Sequence, residues 1–225
     1  MSYTSTEIIN KVKSLNLPTG QYMLIGGSNL AVRGIRDTRD LDILVAPDLF
    51  NRLMSEGFVL DPEYEQKWNR KRLIKDDIEI YGDMYLEKQN YFFDVQKVLS
   101  EADLINDIPV QSLPNILVCK ADSAREKDLR DIELIKNYLK NQFKKDGYLH
   151  IFEWTDAPNT VYEEHEHKGR TAFYILRGSV TFTSGFNKTI KAGERFDVPP
   201  HVKHTAVVGP EGCDWIVAED IEGDS

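Results

Sequence analysis

The chain changes its periodicity once, near Asp146, and no single layered core accommodates both halves. Before that point, apolar residues recur at helical spacing between short apolar runs. After it, only short β-rich runs remain, separated by Gly- and Pro-containing turns. A helix buries a stripe of period 3.6 and a strand buries alternate residues, so the switch marks a change of architecture. The length, 225 residues, agrees with this division. Compact domains cluster near about 100–150 residues, which favours two units. The expected organisation is a first domain over 1–140, a polar linker over 141–147 and a second domain over 148–225.

In the first half, Ser5 to Leu15 places Ile8, Ile9, Val12 and Leu15 on one helical face. Tyr22–Ile25 reads as a buried strand running into Gly26, Gly27 and Ser28, and a helix is expected to open over Asn29–Gly34. Leu41–Val45, Ile78–Tyr81 and Tyr91–Phe93 read as strands, Pro47–Gly57 as a helix, and Leu113–Leu139 as a long helix. In the second half, Tyr148–Trp154, Ala172–Leu176, Val180–Thr183, Lys188–Ile190, Thr205–Val208 and Asp214–Ala218 suit a small antiparallel barrel or sandwich.

Composition narrows the classes. Hydrophobic residues make up 41% and charged residues 29%, enough apolar material for a core and too much for a disordered chain. No apolar run approaches the roughly 18–20 residues that span a bilayer, and the N-terminus lacks the basic start and apolar stretch of a signal peptide. The expected location is cytoplasmic, and no membrane partner is expected. Cys119 and Cys213 are far apart and read as incidental thiols of a reducing compartment. The net charge of −9 disfavours nucleic-acid backbones without excluding a local basic groove. It divides unevenly at Asp146, −3 before and −6 after. All five histidines lie in the second part, and four of them fall between His165 and His204.

Two clusters carry chemistry. In the first half, glycines directly after a strand let backbone amides approach a phosphate. After eleven residues that follow Ser28, Asp40 and Asp42 fall on one face of a strand, and paired carboxylates suit Mg²⁺. A third carboxylate is offered by Glu79, with Asp77 in reserve, on the strand Ile78–Tyr81. Arg33, Arg36 and Arg39 bind phosphates or neutralise the acidic cluster. The basic run Lys67, Arg70, Lys71, Arg72 and Lys75 reads as an exposed face.

The string Gly-Gly-Ser, eleven residues, Asp-Leu-Asp resembles the nucleotidyltransferase superfamily that includes DNA polymerase β. Arg36-Asp37-Thr38-Arg39-Asp40-Leu41-Asp42 and the later Lys120 to Ile132 segment are similar to its minimal, AbiEii-type members. The resemblance covers roughly residues 20–140. It implies that Gly26, Gly27, Ser28, Arg36, Lys120 and Arg125 bind nucleotide. It implies that Asp40, Asp42 and Glu79 are catalytic and hold Mg²⁺, while Asp128 and Asp131 hold the helical segment in place. The implied reaction moves a nucleoside monophosphate from an NTP to an acceptor, releasing pyrophosphate. Glu79 departs from the aspartate common in the family, which puts the second metal in question.

In the second half, His165 and His167 share one strand face and His204 lies beyond the Gly193 to Pro199 turn region. Three converging imidazoles suit a transition metal. The spacing resembles the cupins over about residues 148–220: His165-Glu166-His167, Thr171, six residues, Gly178; then Gly193, five residues, Pro199-Pro200-His201, two residues, His204. Thr171 stands where the family has a glutamate ligand, and His201 where it has a turn glycine. The resemblance implies a site for Zn, Fe, Ni or Mn on His165, His167 and His204, a small-molecule ligand, and a homodimer. Of Phe173, Tyr174, Phe182, Phe186 and Phe196, most are expected in the core and one or two on a pocket.

The resulting fold expectation is an α+β nucleotidyltransferase-like N-terminal domain with a helical extension, followed by an all-β cupin (double-stranded β-helix) domain. Three functional classes remain open. The first is a Mg²⁺-dependent nucleotidyltransferase with a ligand-binding, regulatory or dimerising cupin. The second is a metal-dependent cupin enzyme with a nucleotide-binding regulatory domain. The third is a non-catalytic sensor.

Overall fold

A computed structural model describes residues 2–224. The chain divides into two compact units, Met1–Leu129 and Arg130–Ser225. No helix among the described residues is long and apolar enough to cross a membrane.

The first unit opens with α1 (Ser5–Ser14), β1 (Tyr22–Leu24), α2 (Gly26–Val32), β2 (Leu41–Val45), α3 (Pro47–Ser55) and β3 (Val59–Leu60). Next come α4 (Pro62–Trp68), β4 (Arg72–Lys75), β5 (Ile78–Tyr81), β6 (Tyr85–Leu86) and β7 (Tyr91–Phe92). α5 (Val95–Ser100), β8 (Asp103–Ile105), β9 (Ile108–Val110) and α6 (Leu113–Ser123) follow, and α7 (Glu126–Lys145) begins at the end of this unit and belongs mostly to the second. Local chemistry sets the helix starts. Thr4 and Glu7 form a reciprocal capping box on α1, and Asp61 accepts from the Glu63 and Tyr64 amides at the start of α4.

Seven strands form one sheet in the order β3-β4-β5-β2-β1-β9-β8. β2 runs parallel to β5 and antiparallel to β1. Alternation along β2 sends Leu41, Ile43 and Val45 into a core with Ile8, Val12, Leu49 and Ile80. Leu44 goes to the opposite face, with Met23, Met84, Val98 and Leu99. Asp42 shares that second face.

Three expectations are corrected here. The helix after β1 starts at Gly26, not Asn29. The long helix expected over Leu113–Leu139 is two, broken at Ala124, whose φ of 49° leaves helical space. The polar segment expected as linker is helical through Lys145. Ile135, Leu139 and Phe143 are buried at four-residue intervals and carry the apolar stripe across it. The polar majority of that segment is the outer face of a helix.

The second unit is built from antiparallel pairings among β10 (His150–Asp156), β11 (Val161–His165), β12 (Thr171–Ser184), β13 (Lys188–Lys191), β14 (Arg195–Val198) and β15 (His204–Glu219). The runs Ala172–Leu176 and Val180–Thr183 are one strand, and so are Thr205–Val208 and Asp214–Ala218. β12 and β15 pair from Thr171↔Glu219 to Ser184↔Thr205, with three register shifts. Phe173, Ile175, Val180, Phe182, Trp215 and Val217 fill the interior from these two strands.

One shift lies beside Gly178, which has φ 81°. A Cβ there would sit 1.9 Å from the Gly212 carbonyl oxygen. Gly178→Ala is expected to destabilise this unit by about 2–3 kcal/mol, lowering its thermal midpoint measured by circular dichroism.

Candidate functional site

The three histidines of the second unit converge. His165 on β11 and His204 at the start of β15 are cross-strand partners, and His167 follows two residues on. Ring centroids are 4.3 Å apart for His165 and His204, 5.0 Å for His167 and His204, and 5.2 Å for His165 and His167. One ring nitrogen of each lies within 4.8 Å of the others. Among the described residues, this is the one group of three or more His, Cys, Asp or Glu side chains so gathered.

The orientation of each ring is set by backbone. Nδ1 of His165 meets the Glu163 carbonyl at 2.7 Å, Nδ1 of His167 the Asp224 carbonyl at 2.6 Å, and Nδ1 of His204 the Val202 carbonyl at 2.8 Å. A carbonyl oxygen only accepts, so each Nδ1 carries the proton and each Nε2 keeps its lone pair. Burial lowers the pKa of His167 and of His204, and the neighbouring histidines add to it; both are neutral at pH 7. Nε2 of His167 is buried and has no partner among the described residues. Three gathered imidazoles, each with its Nδ1 held by a backbone carbonyl, are the donor set of a transition-metal site. The residues present therefore fit a bound ion.

A cavity of about 220 Å³ opens in front of these rings, lined chiefly by aromatic side chains from β10, β11, β12 and β15. Of the aromatic residues weighed from sequence, Phe173 and Phe182 line it. Phe186 and Phe196 pack against the core. Phe152, Trp154, Tyr162 and Trp215 also line it and were missed. Alternation along Phe152-Glu153-Trp154 and along Trp215-Ile216-Val217 is the signal that could have found three of them. Thr171, at the motif's glutamate position, is fully buried, lies outside the lining and leaves its hydroxyl unpartnered among the described residues. His201 has φ 60°, the left-handed conformation that suits the glycine of that motif, and its amide donates to the His167 carbonyl at 2.7 Å.

The first unit brings together fewer of its expected residues. Asp42 and Glu79 are register partners on the parallel strands β2 and β5 and share a face. Burial, together with the charge of Glu79, pushes the Asp42 carboxyl up to about 7 despite a hydrogen bond of 3.2 Å from the Gly27 amide. Asp40 precedes β2 and is exposed. The three carboxylates are not gathered within ligand-bridging distance. Glu79 is instead ion-paired with Arg72, which also binds Asp61, and accepts from the Tyr81 hydroxyl at 2.5 Å. Asp77, the reserve, is paired with Lys11. The residues as placed do not form a three-carboxylate Mg²⁺ cluster.

The expected phosphate-binding residues are partly engaged elsewhere. Gly26 has φ 54°, and a Cβ on it would approach the Asp42 carboxylate to 2.8 Å, so glycine is needed for close packing on β2. Ser28 is fully buried. Its hydroxyl donates to the Asp40 carbonyl at 3.0 Å and accepts from the Asp42 amide at 2.7 Å, which ties α2 to β2. Arg33 binds the Asp103 carboxylate at 2.6 Å and the Gln111 carbonyl at 3.1 Å. Arg36 donates to the Asp37 carbonyl at 2.8 Å. Lys120 and Arg125 both pair with Asp128. The basic run expected as an exposed face is split: Lys67, Lys71 and Lys75 are exposed, while Arg70 and Arg72 are half-buried and paired with Asp83, and with Asp61 and Glu79.

No family model matches the chain, and no curated protein matches it. Among solved structures, it is similar to an RmlC-like cupin from Shewanella frigidimarina, 28% identical over 34% of this chain and 70% of that one, with a TM-score of 0.31. It is also similar to the polyketide cyclase RemF from Streptomyces resistomycificus, 26% identical over 35% of this chain and 60% of that one, TM-score 0.29. KdgF from Halomonas sp. is 19% identical over 33% of this chain and 71% of that one, TM-score 0.29. These neighbours are cupin-like for about a third of the chain. They give the nucleotidyltransferase expectation, and Mg²⁺ with it, no support.

The Asp128 cluster has a pH signature. Burial raises its carboxyl pKa, but hydrogen bonds from Arg125 and Ser123 and the charge of Lys120 outweigh that and bring it down to about 2. A depressed carboxyl stabilises the fold above its unfolded value near 4, and the contribution is lost as pH falls towards 2. Asp128→Asn is expected to cost about 2 kcal/mol at pH 7 and to flatten the acid limb of stability between about pH 4 and 2, measured by urea unfolding across pH.

Proposed function

We propose that the second unit is a metal-dependent cupin-type site: His165, His167 and His204 hold one Zn, Fe, Ni or Mn ion against the aromatic cavity, where a small molecule binds. The observation that carries this reading is the set of three Nδ1 to carbonyl hydrogen bonds, which leaves each Nε2 available as a ligand in a group whose ring nitrogens lie within 4.8 Å of one another. An ion held by three imidazoles keeps open positions and supplies Lewis-acid or redox chemistry to a substrate oxygen. The protein's own part is to fix the ligand tautomers, favour the neutral forms of His167 and His204 by burial, and line the cavity with aromatic walls. The first unit serves, in this reading, as a nucleotide-binding regulatory module.

Metal analysis tests it. Protein reconstituted with Zn²⁺ and desalted is expected to retain one ion per chain. His165→Ala, at the less buried ligand, is expected to weaken binding by more than about 100-fold, beyond the roughly 10–100-fold typical of residues that only orient ligands. Equal retention by wild type and a His165→Ala/His204→Ala double variant that keeps its circular dichroism spectrum sinks the site.

A second reading is favoured by one observation, the like-charged Asp42 and Glu79 facing each other across β2 and β5. Perturbed carboxyls of this kind concentrate at functional sites. In that reading the first unit transfers a nucleoside monophosphate from an NTP to an acceptor. With α-labelled NTPs and Mg²⁺, label transfer or pyrophosphate release is expected, falling at least about 100-fold in Asp42→Asn. Transfer that survives Asp42→Asn removes this reading and leaves the metal-site reading untouched.

A further inference from the structure

The cavity in front of the histidines restricts what it accepts, an inference that rests on the metal-site reading above. An apolar cavity of roughly 150 Å³ holds one benzene ring, so about 220 Å³ admits a single ring with substituents. The walls are the rings of Phe152, Trp154, Tyr162, Phe173, Phe182 and Trp215. Two of their polar tips are engaged, the Tyr162 hydroxyl and the Trp154 indole N–H both donating to Asp156 Oδ1 at 2.8 and 3.2 Å, while the Trp215 indole N–H is buried without a partner among the described residues.

Among the described residues, no Lys, Arg, Asp or Glu side chain lines the cavity. A carboxylate or phosphate against the aromatic wall would be buried without a counter-ion, and a polyol would leave hydroxyls unpaired there. In the metal-site reading, the full compensation for an anionic oxygen comes from an ion held by the histidines, and the Trp215 indole N–H adds a single neutral donor. Three neutral imidazoles leave the charge of that ion undiminished, and Thr171 brings no carboxylate to it. Three protein ligands also leave neighbouring positions open, which two adjacent oxygens fill.

We propose that the site takes a single-ring aromatic molecule with two adjacent oxygen donors, such as a catechol or an ortho-hydroxy aryl carbonyl, its oxygens towards His165, His167 and His204 and its ring against the aromatic wall. The trapped ion and the ring are then recognised by separate surfaces of one cavity. Trp154, 51% exposed, belongs to the second surface and not to the gathered histidine group.

The test uses full-length protein loaded with Zn²⁺ and titrated with 4-nitrocatechol, whose visible band moves on metal coordination. 4-Nitrophenol and tartrate serve as the one-oxygen and non-aromatic comparisons. The catechol is expected to bind at least about tenfold more tightly than either. The band is expected to move on the loaded protein, with zinc still bound after gel filtration. Trp154→Ala is expected to weaken catechol binding about fivefold or more with zinc stoichiometry unchanged. Tartrate binding as tightly as 4-nitrocatechol overturns the aromatic class. Equal binding with and without Zn²⁺, equal binding of 4-nitrophenol, or removal of zinc by the catechol overturns the paired-oxygen assignment. In the first three of these outcomes zinc remains on the histidines, so the metal-site reading stands. Protein that takes up no zinc sinks both.

Discussion

The pairing of β12 with β15 is the constraint on which the second unit depends. These strands run antiparallel from Thr171↔Glu219 to Ser184↔Thr205, and both carry interior residues on alternate positions. The same β15 also pairs with β10 and β11. Its N-terminal end therefore decides where His204 lies relative to His165, because the two are register partners. A slip of one residue would send Trp215 and Val217 outwards and turn His204 away from the cavity. The left-handed Gly178 and the adjacent register shift let β12 follow β15 past Gly212, where any side chain would meet backbone. Site geometry and core packing are thus one problem in this unit, and the histidines are held by strand register before any ion is considered.

In the first unit the corresponding constraint is Ser28. Its buried hydroxyl bridges the Asp40 carbonyl and the Asp42 amide, fixing the start of α2 against β2. Parallel pairing of β2 with β5 then places Asp42 beside Glu79. Two carboxylates on one half-buried face repel, and the structure meets this in two ways. Arg72 and Tyr81 neutralise and hydrogen-bond Glu79, while Asp42 keeps a raised pKa and a single amide donor. The charge that the sequence presents as a symmetric cluster is resolved asymmetrically. One carboxylate is committed to structure and the other is left perturbed.

Much of this was legible in the residues. The strand containing Asp42, the strand containing Glu79 and the convergence of His165, His167 and His204 follow from alternation and spacing. What was not legible depends on contacts between residues distant in sequence. Arg72 reads as a surface cation until β4 pairs with β5 and brings it to Glu79, seven residues on. Ser28 reads as a phosphate ligand because its backbone role is visible only after α2 docks. The segment after Leu139 reads as a linker because polar residues outnumber apolar ones, although Phe143 alone, four residues beyond Leu139, sustains the helix face. The carbonyls of Glu163, Val202 and Asp224 that fix the imidazole tautomers are backbone groups and leave no trace in side-chain identity.

The replacement of a glutamate by Thr171 at the cupin motif has an electrostatic consequence. In the metal-site reading, a carboxylate ligand would halve the charge of a divalent ion, whereas three imidazoles would leave it whole beside a wall of aromatic rings. Burying that charge uncompensated is costly. Glu219 offers partial relief: it is fully buried, and its charge raises the pKa of His167, although it lies outside the gathered ligand set. Its carboxylate accepts from the Gly223 amide at 3.0 Å, which fixes it in place as a field and not as a ligand. In the metal-site reading, the remaining imbalance would be met from the cavity side, by an anionic oxygen. A site with a glutamate ligand could rest with water in its open positions. A three-histidine site would gain more from an oxyanion there, so in that reading the threonine that weakens the match to the motif sharpens what the cavity would select.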